Sequence, residues 1–124
     1  MLLPRFPKED FMSDLPISYS SEERQGWFLW QVKGYLDRTT ADEATEKGLR
    51  LLPGHAKFAL DFSELAYLSS AGIRAVLKIA EAAQKQDICF ALIVGEGMVR
   101  EVLEISRIDL FVKIHASVEE LVQA

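Results

Sequence analysis

The sequence predicts an α/β domain with a mixed, mostly parallel sheet of about five strands and about four helices. Strand-like apolar segments alternate with segments of helical periodicity along most of the 124 residues, as is typical of a parallel sheet covered by helices. The segment "ICFALIV" at 88–94 is apolar throughout, which indicates a central strand. The first two strand-like segments are separated only by the turn-like "SEERQG", which predicts an antiparallel pair.

The domain is predicted to span residues 17–124, after a loosely ordered extension over 1–16. The extension holds three of the four prolines of the chain and has no clear periodicity. Met12 begins the stretch "MSDLP" and is a second candidate for the natural start. The first strands are "ISYS" at 17–20 and "WFLWQVKGYL" at 27–36, because the longer one is rich in aromatic and β-branched residues.

The first helix is predicted from about 41 to 52, between a capping-box pattern and the "PG" that ends it. In such a box the Thr40 side chain accepts a hydrogen bond from the third backbone N–H while Glu43 reaches back. The next strand is "AKFALDFS" at 56–63, whose apolar residues show little alternation. That pattern favours a strand covered on both faces.

A short loop over 63–69 leads to the second helix, predicted from about 70 to 85. Its apolar side chains recur at the i, i+3, i+4 spacing of one helical face. These positions are Ile73, Val76, Leu77, Ala80 and Ala83.

The remaining elements follow the central strand. The segment "GEG" that ends this strand is interpreted as a strand-to-helix turn before a helix over 98–105. A last strand is predicted over 110–114 as "LFVKI". Ser117 and Glu120 then form a second capping-box pattern, which opens a terminal helix.

The composition disfavours several classes of function. The net charge of −5 argues against binding to nucleic acid or to an anionic membrane surface, both of which require basic surface. No apolar run approaches the roughly 18 residues of a membrane span, and the N-terminus has no secretory pattern. We therefore expect a cytoplasmic protein that neither inserts into a membrane nor binds nucleic acid. The single cysteine, Cys89, has apolar neighbours and is predicted to be a small buried hydrophobe.

Recognisable catalytic and cofactor motifs are missing from the sequence. It contains no Gly-rich phosphate loop, and the two histidines make no metal site with the cysteine at a recognised spacing. The segment "LSSAG" is not a nucleophile elbow, because its first residue is leucine. Carboxylates near predicted strand ends are interpreted as caps and hydrogen-bond acceptors: Asp37, Asp61 and Glu64. We therefore expect no enzyme, cofactor or metal, and an enzyme using Asp37, Asp61 or the serines is the least favoured hypothesis.

The stretch "AYLSSAGIRAVL" at 66–77 places two serines and a small Ala-Gly step at the start of a helix. One serine satisfies the need for an N-cap, which is worth about 1 kcal/mol over alanine. The other is therefore available for a different role. Ala71 and Gly72 keep the surface small, so the active site of another protein can approach. A helix N-terminus also tolerates the roughly −1.5 to −2 charge of a phosphate.

The segments "VKGYLDRTT" and "ALDFSELAYLSSAGIRAVL" together resemble the STAS domain of bacterial anti-sigma factor antagonists. The resemblance covers about residues 17–124 and implies a STAS-like single domain that switches partners and is not an enzyme. In that family the serine two positions before the glycine is phosphorylated, and here that residue is Ser70. Ser69 stands where many antagonists have aspartate, and it is the second choice. The partner-binding residues are then Asp37, Ser69, Ser70, Ala71 and Gly72.

The resemblance also implies the partners. The phosphorylating enzyme is a serine kinase that is itself an anti-sigma factor, and a PP2C-type phosphatase resets the switch. The unmodified protein binds the kinase and frees a sigma factor, whereas the phosphorylated form does not. The alternative hypothesis is a STAS scaffold or sensory module that is never phosphorylated, in a signalling or transporter assembly. The oligomeric state is not specified by the sequence.

Overall fold

Six strands and four helices make up residues 17–124, the part of the chain that the computed structural model describes. The strands are β1 (Ile17–Arg24), β2 (Trp27–Leu36), β3 (Lys57–Asp61), β4 (Leu65–Leu68), β5 (Cys89–Ile93) and β6 (Lys113–His115). The helices are α1 (Ala41–Leu51), α2 (Ser70–Lys85), α3 (Met98–Ile105) and α4 (Val118–Gln123), with a 3-10 turn at Ile108–Leu110. None of these helices is long and apolar enough to cross a bilayer. The predicted extension over 1–16 lies outside the described residues.

The strands form one sheet in the order β1-β2-β3-β5-β6, with β4 paired to β2. β1 and β2 are antiparallel as predicted, and the other pairs are parallel. β2 is long enough to serve two neighbours: residues 28–31 pair with β3, and the end of the strand from 34 to 36 pairs with β4. The predicted mixed, mostly parallel sheet with four helices is confirmed, with six strands in place of about five.

The additional strand, β4, falls within the predicted loop over 63–69. β3 ends at Asp61, whose carboxylate accepts a hydrogen bond from the Ser63 N–H (2.9 Å) and so supports a turn. The chain then returns to the sheet beside β2, with Leu65 and Leu68 buried and the two residues between them exposed. The β4 sequence "LAYL" does not alternate apolar and polar residues, so it lacks the period of a half-buried strand.

Two hydrophobic clusters lie on opposite faces of the sheet. The larger cluster joins the sheet to α1, α2 and α3, and its most deeply buried large side chains include Phe58, Phe62, Leu92 and Leu103. The smaller cluster packs α4, through Leu121, against the other face. Both faces of the central strands are therefore covered, which explains their nearly continuous apolar sequence.

Cys89 is exposed, which corrects the prediction that it is buried. It is the first residue of β5, and it alternates onto the same face as Ala91 and Ile93. The short helix α4 covers these two residues through Leu121, whereas the start of the strand lies outside that cover. The apolar neighbours of Cys89 predicted the strand correctly but not the extent of the layer above it.

The segment after α3 also differs from the prediction. Arg107 adopts a left-handed conformation (φ 62°), and the 3-10 turn follows it directly. β6 therefore begins at Lys113 and not at residue 110. One half of the second capping box forms at α4, where the Ser117 hydroxyl accepts a hydrogen bond from the Glu120 N–H (3.1 Å). The Glu120 carboxylate accepts its hydrogen bond from the Ala116 N–H, one residue before the cap.

Candidate functional site

The site lies where the carboxyl ends of β2 and β4 meet. Leu36 and Leu68 are parallel partners in the sheet, and the Ser69 N–H donates to the Leu36 carbonyl (3.0 Å). Asp37 follows one strand and Ser69 follows the other, so both residues leave the sheet at the same edge. The fold thereby brings together the candidate site residues that lie far apart in the sequence.

The two serines of this edge have different structural roles. Ser69 is the N-cap of α2, with an extended backbone (φ −102°, ψ 177°), and its hydroxyl accepts a hydrogen bond from the Gly72 N–H (3.4 Å). Ser70 is the first residue of the helix, and it is exposed. No hydrogen bond within residues 17–124 uses the Ser70 hydroxyl. The fold therefore uses one serine and leaves the other accessible.

This division predicts different effects of removing each hydroxyl. Ser69→Ala is expected to lower the free energy of unfolding by about 0.5–1 kcal/mol, because a helix loses its N-cap. Ser70→Ala is expected to change it by less than about 0.5 kcal/mol, as for other exposed substitutions. Urea denaturation followed by circular dichroism measures both values. A larger loss for Ser70→Ala than for Ser69→Ala would contradict the assignment of the cap.

Gly72 is buried in the third position of α2, which corrects its interpretation as part of an open surface. A Cβ at this position would lie 2.6 Å from the Leu68 Cδ1 and 2.7 Å from the Leu36 carbonyl oxygen. The missing side chain therefore allows the helix backbone to start against the end of β2. Gly72 acts on the site by positioning Ser69 and Ser70, while Ala71 is half-buried beside them.

Asp37 is held by the loop between β2 and α1. Its Oδ1 accepts hydrogen bonds from the Thr39 hydroxyl (2.7 Å) and the Thr39 N–H (2.9 Å). The Thr39 hydroxyl, in particular, holds the pKa of the Asp37 carboxyl below its ordinary value. Because its pKa is lowered, the Asp37 carboxylate is ionised at neutral pH. The two hydrogen bonds from Thr39 fix its orientation, and the residue is half-buried at this edge.

Thr40 does not form the predicted capping box, because its side chain is turned towards the end of β2. The Thr40 hydroxyl donates to the Tyr35 carbonyl (2.8 Å) and accepts from the Asp37 N–H (2.9 Å), and no cap hydrogen bond is made. Glu43 accepts a hydrogen bond from the Tyr19 hydroxyl (3.3 Å). Thr39 and Thr40 thus both support Asp37, a role that the sequence analysis missed. The Asp-x-Thr-Thr pattern is the available signal, since Asp side chains bond to the backbone two residues on.

The other candidate carboxylate, Asp61, is separate from this edge. It is buried at the end of β3 and lines a cavity of about 220 Å³ with Ser20, Ser21, Glu22, Leu29 and Gln31. Neither histidine lines this cavity. His55 stacks on Phe28 with ring centroids 4.1 Å apart. The arrangement therefore does not place a histidine base beside Asp61.

Comparisons with known proteins agree with this architecture. The family model of the STAS domain matches residues 18–121. An anti-sigma factor antagonist from Mycobacterium paratuberculosis is 16% identical with a TM-score of 0.76, covering 86% of this chain and 92% of its own. A STAS domain protein from Planctomyces limnophilus is 16% identical with a TM-score of 0.71, and the match covers 85% of this chain and 94% of that protein. The Bacillus cell fate determinant SpoIIAA in its phosphorylated form is 16% identical with a TM-score of 0.63, and the match covers 86% of this chain and 97% of that protein. These likenesses show the fold, and no curated protein matches the sequence.

Proposed function

The chain belongs to the STAS domain family, and on this premise we propose that it is an anti-sigma factor antagonist switched by phosphorylation of Ser70. The unphosphorylated form binds and sequesters a serine-kinase anti-sigma factor, which frees a sigma factor. The phosphorylated form does not bind the kinase, and a PP2C-type phosphatase restores it. The protein is then a binding module and a substrate, and it has no catalytic role of its own.

One observation carries this proposal: the Ser70 hydroxyl is exposed and is not used by the fold, whereas the adjacent Ser69 forms the helix cap. A phosphoacceptor must be reached by the active site of another enzyme, and its hydroxyl must be available. Ser70 meets both conditions, and Ser69 is half-buried with its oxygen engaged. The Bacillus SpoIIAA structure, which has a similar fold, is that of a phosphorylated form. This likeness supports the proposal that the present chain is phosphorylated.

In the proposed phosphoryl transfer, this chain supplies only the Ser70 hydroxyl. The Ser70 Oγ attacks the γ-phosphorus of ATP held by the kinase, the Oγ–P bond forms, and the bond from that phosphorus to ADP breaks. The hydroxyl proton passes to a base of the kinase. The product adds a charge of about −1.5 to −2 at the first turn of α2, where unpaired backbone N–H groups tolerate it. The fold therefore survives the modification while the surface changes.

Asp37 is proposed to contribute to partner binding at the same edge. Its carboxylate is ionised and fixed by Thr39, so it offers a preorganised acceptor to an arginine or lysine of the partner. Because the orientation is set before binding, little side-chain entropy is lost when the contact forms.

The site of phosphorylation is tested by incubating the chain with ATP and its serine-kinase partner and measuring intact mass. The unmodified chain and Ser69→Ala are expected to gain one phosphate, because the cap is not the acceptor. Ser70→Ala is expected to gain none. Uptake by Ser70→Ala that is lost in Ser69→Ala would overturn the assignment. If protein isolated from cells were unphosphorylated under every growth condition, the scaffold or sensory alternative would replace the proposed switch.

A further inference from the structure

A cleft of about 150 Å³ separates the first turns of α1 and α2 beside the candidate site. Its charged lining consists of Arg38 from the loop after β2, Asp42 from α1, and Arg74 and Lys78 from α2. Small residues, including Ala41 and Ala71, also line the cleft.

The cleft is basic in a chain that is acidic overall. Three cations face one carboxylate in the cleft, whereas the net charge of the chain is −5. Arg38, Arg74 and Lys78 are all exposed. The ion pairs within residues 17–124 use other cations, namely Arg24, Lys33, Lys85, Arg100 and Arg107. Among residues 17–124, no acidic side chain therefore forms an ion pair with any of these three cations.

The helix geometry places Ser70, the proposed phosphoacceptor, one turn before Arg74 of the cleft. Ser70, Arg74 and Lys78 follow one another at intervals of four residues along α2, so they lie in a row on one face of the helix. Side chains of a helix lean towards its N-terminus, and a residue covers the surface one turn before it. Arg74 thus extends towards Ser70 while also lining the cleft.

We infer that this basic cleft receives the phosphate group of phosphorylated Ser70, with Arg74 and Arg38 as its principal ligands. The inference rests on the proposed function, in which Ser70 is modified. Guanidinium groups bind phosphate oxygens through pairs of charge-assisted hydrogen bonds. The phosphoserine is then held over the cleft between α1 and α2, in a fixed position beside Asp37. A partner approaching this edge meets an ordered dianion in place of a small open surface.

The inference is tested on the protein alone, with phosphoserine incorporated at position 70 during translation. Phosphorus NMR follows the second ionisation of the phosphate, whose pKa is ordinarily about 6. A cation in direct contact, about 4 Å away, is worth roughly 0.75 pKa unit even at the dielectric constant of water. Arg74→Gln and Arg38→Gln are each expected to raise the phosphate pKa by at least about 0.75 unit, and the double variant by at least about 1.5 units. The differences are expected to shrink as salt is added.

Lys85→Gln is the matched control, because Lys85 lies in the last turn of the same helix and pairs with Glu81 (4.0 Å). It is expected to leave the phosphate pKa unchanged. An unchanged value in the double variant, with its circular dichroism spectrum intact, would overturn the inference. No kinase is present in this measurement, so its failure leaves the proposed function standing. A kinase that does not modify Ser70 would contradict the proposed function without changing the titration.

Discussion

Replacing Gly72 by alanine is expected to lower the free energy of unfolding by about 2–3 kcal/mol, as for an overpacked buried site. The new Cβ would lie 2.7 Å from the Leu36 carbonyl oxygen and 2.6 Å from the Leu68 Cδ1. The Leu36 oxygen cannot move away easily, because it accepts the hydrogen bond from the Ser69 N–H. Relief of the contact therefore requires α2 to move from the sheet, which outweighs the roughly 1 kcal/mol that alanine gains over glycine in a helix.

Gly48→Ala is the matched control. Gly48 is also a buried helical glycine, and a Cβ there would meet the Ile79 Cδ1 at 2.6 Å and the Trp30 ring at 3.0 Å. The nearest atom is the end of a flexible side chain, which can adjust, so we expect a change within about 1 kcal/mol because strain and helix propensity offset each other. Urea denaturation of the two variants measures the difference. Equal losses at both positions would contradict the role given to the Leu36 carbonyl.

The sequence predicted the elements with strong periodicity and missed those set by tertiary contacts. The seven-residue apolar run around β5 and the amphipathic pattern of α2 are local signals, and both elements formed as expected. β4 was missed because it is a strand only by virtue of lying beside the long β2. The burial of Cys89 was predicted wrongly because it depends on how far α4 extends over the sheet. The helix packs on Ala91 and Ile93 and does not reach Cys89.

The candidate site shows the same limit at the level of single side chains. A pattern of serines before an apolar run indicates a helix start, but it does not say which serine forms the cap. The backbone at Ser69 is extended and tied to Leu36, and this tertiary bond makes Ser69 the cap. Thr40 has a good capping sequence, yet its hydroxyl finds better partners in the Tyr35 carbonyl and the Asp37 N–H. A neighbouring strand end therefore selected which serine forms the cap of α2, and it overrode the capping propensity of Thr40.

Phosphate on Ser70 is expected to weaken binding of the serine-kinase partner by at least about 100-fold, which corresponds to about 2.7 kcal/mol. Ser70 lies at the edge that also presents Asp37, so the modification adds a dianion to a surface that already carries a carboxylate. Even with Arg74 and Arg38 as its ligands, the phosphate adds bulk and charge to a surface that the partner contacts as a small neutral hydroxyl. Polar groups that end up imperfectly paired in an interface weaken binding.

Titration calorimetry of the partner against the chain with phosphoserine at position 70 measures this loss. Ser70→Ala is expected to bind like the unmodified chain, because the neutral surface is kept. Phosphoserine at position 21 controls for added charge, since Ser21 is exposed on β1 and pairs with Trp30, towards the opposite end of β2 from Leu36. It is expected to change the affinity by less than about threefold, as for an exposed charge outside the interface. Equal weakening by phosphate at positions 21 and 70 would mean that net charge, and not the position of Ser70, controls the interaction.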